Sequence, residues 1–137
     1  MVLKYKILPH IADIKLKVTA DSLEELFSGA LKGMAEILTL KKDLTTKQVK
    51  KEIKISSIDF SSLLIDFLSE ILTLSDIEDS VFTDINIKKF LDKEIEAEIL
   101  GFKVRQFKEE IKAATYHRAE IKKNEKGKWE VEILFDI

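Results

Sequence analysis

Residues 13–34 read DIKLKVTADSLEELFSGALKGM, and within them the spacing of apolar side chains changes once, from every second residue to every third or fourth. Ile14, Leu16 and Val18 alternate with Lys15, Lys17 and Thr19, the pattern of a β-strand with one buried face, which leaves Asp13 on the lysine side. Leu23, Leu26, Phe27, Ala30, Leu31, Met34 and Leu38 then recur at helical spacing, so one stripe of a helix faces a core. Between the two, Asp21 or Ser22 offers an N-cap, with Glu25 three residues after Ser22 as a capping-box partner. A half-buried strand running straight into an amphipathic helix points to a mixed fold.

The flanking sequence extends this reading. Upstream, Val2 to Leu8 is a short extended run and Pro9 predicts a bend. Downstream, residues 41–54 carry six lysines against Asp43 and Glu52, while Val49, Ile53 and Ile55 sit at strand parity, which predicts a basic loop leading into a strand. Asp59 can cap a second helix, in which Phe60, Leu63, Leu64, Phe67, Leu68, Ile71 and Leu72 form a wide apolar stripe closed by Asp76, Glu78 and Asp79. From Val81 onward the sequence reads as strands at about 81–91, 93–100, 111–121 and 128–135, with turn chemistry at Asn124 to Gly127 between the last two. In the final strand Trp129, Val131, Ile133 and Phe135 share one face and Asp136 takes the other. Two long helices among about seven strands predict an α+β fold: an antiparallel-rich sheet with both helices packed on one face, one domain over residues 1–137.

Composition narrows the function. With 23 basic and 25 acidic side chains the net charge is −2, so no strong overall field draws a polyanion. The absence of cysteine excludes disulfides, thiolate metal sites and cysteine nucleophiles. No stretch approaches the roughly 20 apolar residues of a membrane span, which predicts a soluble, cytoplasmic protein with no membrane partner. Glycines at 29, 33, 101 and 127 match no phosphate-binding loop, and no G-x-S-x-G elbow is present. The lysine-rich segments 41–54 and 122–128 could meet RNA phosphates, yet they lack the interleaved aromatic rings of a base-reading module.

Asp13 and Asp136 each end an otherwise apolar strand, where a carboxylate is held by a rigid sheet but remains partly solvated. Such a pair, joined by main-chain or terminal oxygens at Ile137, suits a hard divalent cation such as calcium, magnesium or manganese. Spacing alone is equally satisfied by two solvated strand-end aspartates. Lys112 interrupts the run Ile111 to His117 and either faces solvent or places its ammonium beside one of the aspartates. His10 and His117 are ordinary bend and strand residues, or members of the same site.

Taken together, His10-Ile11-Ala12-Asp13, Asp21 to Phe27, the helix Asp59 to Leu72, the Lys112 to His117 segment and the terminal Asp136-Ile137 resemble the archease family, in matching order over nearly the whole chain. Ile11 and Phe102 depart from the family's usual residues. Archeases are non-catalytic protein cofactors of the GTP-dependent RNA-splicing ligase of the RtcB type, which seals tRNA exon halves. The resemblance implies a helper that promotes guanylylation of the ligase and its repeated turnover. It also implies a bound divalent metal, commonly calcium, with Asp13, Asp136 and Ile137 as ligands. Lys112 is then the residue needed for activation, with His10 and His117 nearby, and tRNA is met only through the ligase. Two other readings remain open at this stage: an RNA-binding or RNA-chaperone module acting through the lysine-rich segments, and a small metal-dependent hydrolase with His10 or His117 as general base.

Overall fold

The computed structural model describes Lys4 and residues 12–137. The Val2–Leu8 strand, the Pro9 bend and His10 lie outside the described residues. In chain order the elements are β1 (Asp13–Ala20), α1 (Leu23–Leu38), a single 3-10 turn (Lys41–Asp43), β2 (Leu44–Ser56), α2 (Phe60–Glu78), β3 (Ser80–Leu91), β4 (Glu94–Val104), β5 (Ala113–Thr115), β6 (Lys122–Lys123) and β7 (Trp129–Asp136).

Both helices start where their caps predict. Ser22 accepts a hydrogen bond from the Glu25 N–H (3.2 Å) at the start of α1, and Asp59 accepts one from the Ser62 N–H (2.7 Å) at the start of α2. Each cap satisfies a backbone donor that has no partner within the helix. Asp79 ends α2 in the left-handed conformation (φ 48°), and the Lys103 ammonium donates to the Glu78 carbonyl (2.6 Å), a cation placed at the negative end of the helix dipole.

The strands do not form one sheet. They divide into an antiparallel sheet of order β1-β7-β5, with β6 also pairing to β7, and an antiparallel sheet of order β2-β4-β3. The helices are therefore not confined to one face of a single sheet: α1 packs on β1 and β3, and α2 on β2, β3 and β5. One hydrophobic cluster links all of these layers, with Phe27, Phe67 and Phe135 fully buried and Phe27 meeting Phe90 edge-on at 4.9 Å. Gly29 and Gly33 let α1 lie close on β1, since a Cβ on either would come within 2.8 Å of Val18 or 2.7 Å of Leu16.

Two other segments differ from expectation. Residues 44–56, read as a basic loop and then a strand, are one long strand, because Val49, Ile53 and Ile55 face inward while Lys50, Glu52 and Lys54 face outward against β4. The expected strand 111–121 contracts to three residues. Beyond Thr115 the chain turns back on itself, with the Ala119 N–H donating to the Tyr116 carbonyl (3.3 Å) and the Glu120 N–H to the Arg118 carbonyl (2.9 Å). The hairpin between β6 and β7 forms as predicted, with Asn124 Oδ1 accepting the Lys126 and Lys128 N–H groups and Gly127 at φ 75°. Among the described residues no helix is long and apolar enough to cross a membrane.

Candidate functional site

β7 is the central strand of its sheet, and this position assembles the site. Its register places Asp136 directly opposite Asp13 on β1 and opposite Ala113 on β5. Residues 123 positions apart in the sequence therefore meet. The Ile137 N–H donates to the Ala12 carbonyl (3.1 Å), so residues 12 and 137 form a hydrogen-bonded pair and the adjacent Asp13–Asp136 pair is of the non-hydrogen-bonded kind. In such a pair the Cα atoms approach to about 4.5 Å and the side chains stand on the same face. Both carboxylates are exposed on the outer face of the sheet.

Lys112 lies at the same corner through its backbone, whose N–H donates to the Asp136 carbonyl (2.7 Å). It precedes β5 rather than lying within it, and its side chain is exposed. Among the described residues, no ion pair joins Asp13, Asp136 or Lys112 to an opposite charge. His117 is exposed and lies past the end of β5, not within a strand. It nonetheless borders a cleft of about 270 Å³ whose lining includes Asp13, Lys15, Arg118 and Glu132.

Lys15, Arg118 and Glu132 were not legible as site residues. Lys15 and Glu132 had a signal: they share outward parity with Asp13 and Asp136, so a known β1–β7 register would have placed them beside the corner. Arg118 had none, because it reaches the cleft through a turn with φ 57° that no spacing rule announces.

The donor set suits a hard cation in kind. Two directly opposed carboxylates and the main-chain oxygens of Ile137 are oxygen ligands, and like charges so placed repel unless a cation lies between them. Among the described residues no three His, Cys, Asp or Glu side chains converge on one point. A cation at this corner would have at most these two carboxylate side chains from the described residues, and its further ligands would be main-chain oxygens and water.

Half of the ten lysines in the two lysine-rich segments are occupied. Lys50 pairs with Glu98, Lys51 with Glu78, and Lys54 with Glu94 and Glu96. Lys128 pairs with Asp21, and Lys123 lies over the Trp129 ring at 4.9 Å. Cations committed to neighbouring carboxylates and a ring make a poor track for an RNA backbone.

The profile of the Archease protein family matches residues 5–137. The chain belongs to the archease family. Archeases of similar sequence include one from Methanosarcina mazei, 30% identical over 98% of this chain and 96% of its own, and one from Pyrococcus abyssi, 34% identical over 93% and 94%. The fold resembles the crystal structure of an archease from Thermotoga maritima, described as a possible chaperone (TM-score 0.69, 21% identity, 100% of each chain). It also resembles the solution structure of a Methanobacterium thermoautotrophicum protein (TM-score 0.68, 25% identity, covering 95% of this chain and 96% of that one).

Proposed function

We propose that this archease-family chain is a non-catalytic activator of an RNA-splicing ligase of the RtcB type, and that it works by presenting a divalent cation, calcium in the first instance, at the Asp13–Asp136 corner. The observation that carries this reading is the register of β1 against β7, which sets two carboxylates, without an ion-pair partner among the described residues, opposite each other beside the main-chain oxygens of Ile137. Asp13, Asp136 and Ile137 would hold the cation, and a bound cation supplies positive charge for nucleotide or RNA phosphates.

The protein's own residues do the rest. The sheet fixes the two carboxylates without rotational freedom in the backbone, so the corner enters a partner's pocket already shaped. Lys112 adds an exposed ammonium at the same end of β7, available to a phosphate or carboxylate of the ligase. Inside a partner's pocket water is displaced and each fixed charge acts more strongly than it does on the free surface. This supports a role in guanylylation and repeated turnover of the ligase during tRNA splicing, with tRNA engaged through the ligase.

Multiple-turnover ligation with purified ligase tests the proposal. At matched metal and GTP, added protein is expected to turn a single round into many, and Asp13→Ala and Asp136→Ala to lose that stimulation while staying folded. Absence of stimulation by the unsubstituted protein rejects the reading.

A further inference from the structure

The outer face of the β1-β7-β5 sheet carries its side chains in rows: Asp13, Asp136 and Ala113, then Lys15, Leu134 and Thr115, then Lys17 and Glu132. The turn that follows β5 stands over these rows and brings His117 and Arg118 to the cleft shared by Asp13, Lys15 and Glu132. We propose that this cleft is a phosphoryl-binding pocket coupled to the cation corner: Lys15, Arg118 and His117 contact the oxygens of a phosphate group that the pocket accepts only together with a divalent cation. The inference rests on the cation reading given above and extends it to a second ligand.

Charge supplies the coupling. The lining holds two permanent cations, Lys15 and Arg118, against two carboxylates, Asp13 and Glu132, so with a neutral His117 it has no net charge. A phosphate therefore gains little there alone. A divalent cation at the adjacent corner adds two positive charges beside the cleft and so favours a phosphate there, and by reciprocity the phosphate then tightens the cation by an equal factor. Neither Lys15, Arg118 nor Glu132 forms an ion pair among the described residues, although lysines elsewhere on both sheets do, so the Lys15 and Arg118 donors are available to a ligand.

The turn is built to hold its position. Tyr116 donates its hydroxyl proton to Asp66 on α2, which pushes the Tyr116 phenol above its ordinary pKa. The Ile121 N–H donates to Ser61 Oγ (3.0 Å), and Ala119 between these anchors is buried. Arg118 is thus fixed at φ 57°, a conformation that costs an arginine free energy and would suit glycine. The planar guanidinium matches two phosphate oxygens at once, which a lysine at this position could not do. The Thr115 hydroxyl, in the middle row, is buried with no partner and is a further unmet polar group on this face.

The phosphate could belong to a nucleoside triphosphate or to the end of an RNA strand, and calorimetric titration separates the two. At constant free manganese the full chain is titrated with GTP, and separately with a short RNA carrying or lacking a terminal phosphate. Manganese is expected to tighten the preferred phosphate ligand by about tenfold. Lys15→Ala and Arg118→Ala should each weaken that ligand by about tenfold while leaving manganese affinity without phosphate unchanged. Arg118→Gly, which fits the left-handed backbone and so preserves the turn, should reproduce the loss.

Phosphate binding that is equally tight without manganese, or indifferent to both side chains, overturns the pocket. In that case manganese binding that persists in the unsubstituted protein leaves the cation site standing. If the unsubstituted protein binds neither manganese nor calcium, the cation reading falls and the coupled pocket falls with it; if it binds calcium alone, the same titrations at constant free calcium decide the pocket.

Discussion

On the outer face of the β2-β4-β3 sheet, Glu94, Glu96 and Glu98 of the central strand meet Lys54, Lys50 and Lys89 from the strands on either side, with Lys88 and Glu52 adding a further pair. On the β1-β7-β5 sheet, Asp13 and Asp136 meet each other. Among the described residues the chain therefore neutralises an acidic ladder on one sheet and gives an acidic pair on the other no ion-pair partner. Two unit charges about 5 Å apart repel by roughly 1 kcal/mol in water and by more where water is displaced. Under the function proposed above, a cation supplied from outside would do at this corner what the lysines do on the other sheet.

The most disruptive way to break the comparison is to unseat the strand that carries the acidic pair. Phe135→Ala removes a fully buried ring from β7 and should cost about 3–5 kcal/mol in urea denaturation. It should also weaken cation binding by the remaining folded protein. Ile99→Ala, equally buried in β4, should cost about 2–5 kcal/mol and leave cation affinity unchanged. Equal losses of affinity in both variants would remove the distinction between the sheets.

Filling or deleting the charge at the corner gives the next effect. Calcium at a hundredfold excess over its dissociation constant should stabilise the unsubstituted protein by about 2.7 kcal/mol, read as a rise in Tm. Asp13→Asn should raise Tm in chelator, because it ends the repulsion, and abolish the calcium response. A lower Tm in chelator would show that the pair is not in conflict.

Acid titration sharpens the contrast from the other side. The hydrogen bond from Lys51 (2.8 Å) holds the Glu78 carboxyl below its usual range, assisted by the charges of Lys51 and Lys103. A depressed folded-state pKa contributes stability above the unfolded value, and that contribution is lost as pH falls through the folded value. Glu78→Gln should therefore lower the urea midpoint at neutral pH and converge with the unsubstituted protein at the acid end. A constant gap at all pH values would contradict the assignment.

The smallest effect is expected in the exposed ladder. The hydrogen bond to Glu96, with the nearby charges of Glu96 and Glu94, raises the Lys54 pKa, yet its side chain is 66% exposed. Lys54→Ala should lower the urea midpoint slightly at low salt and not at all at high salt, as exposed pairs are screened. A large, salt-independent loss would mean that the ladder is a structural clamp.

Much of the fold was legible because its signals are local. The period-two run at Ile14 to Val18, the Ser22 and Asp59 caps and the apolar stripes of both helices each declare themselves within a dozen residues. The strand at 44–56 was obscured because two of its lysines, Lys50 and Lys54, find their acidic partners on β4, 40 to 48 residues later. Asp13 and Asp136 could be picked out as strand-end carboxylates and expected to share a cation, but no spacing rule could bring them together, since 123 residues separate them. Arg118 stayed hidden because its place depends on a turn anchored to α2 through Asp66 and Ser61.

By itself the sequence determined both helices and the strands β1, β3, β4 and β7, which face of each is apolar, and where the capping and hairpin-turn residues fall. Those are short-range consequences of side-chain period and backbone hydrogen bonding. Only the tertiary structure decided that the strands part into two sheets, that β7 lies between β1 and β5, and that Asp13 and Asp136 therefore face each other. Strand order and register are set by burying the two helices and the inward faces of both sheets in one core, a balance over the whole chain that no single window contains.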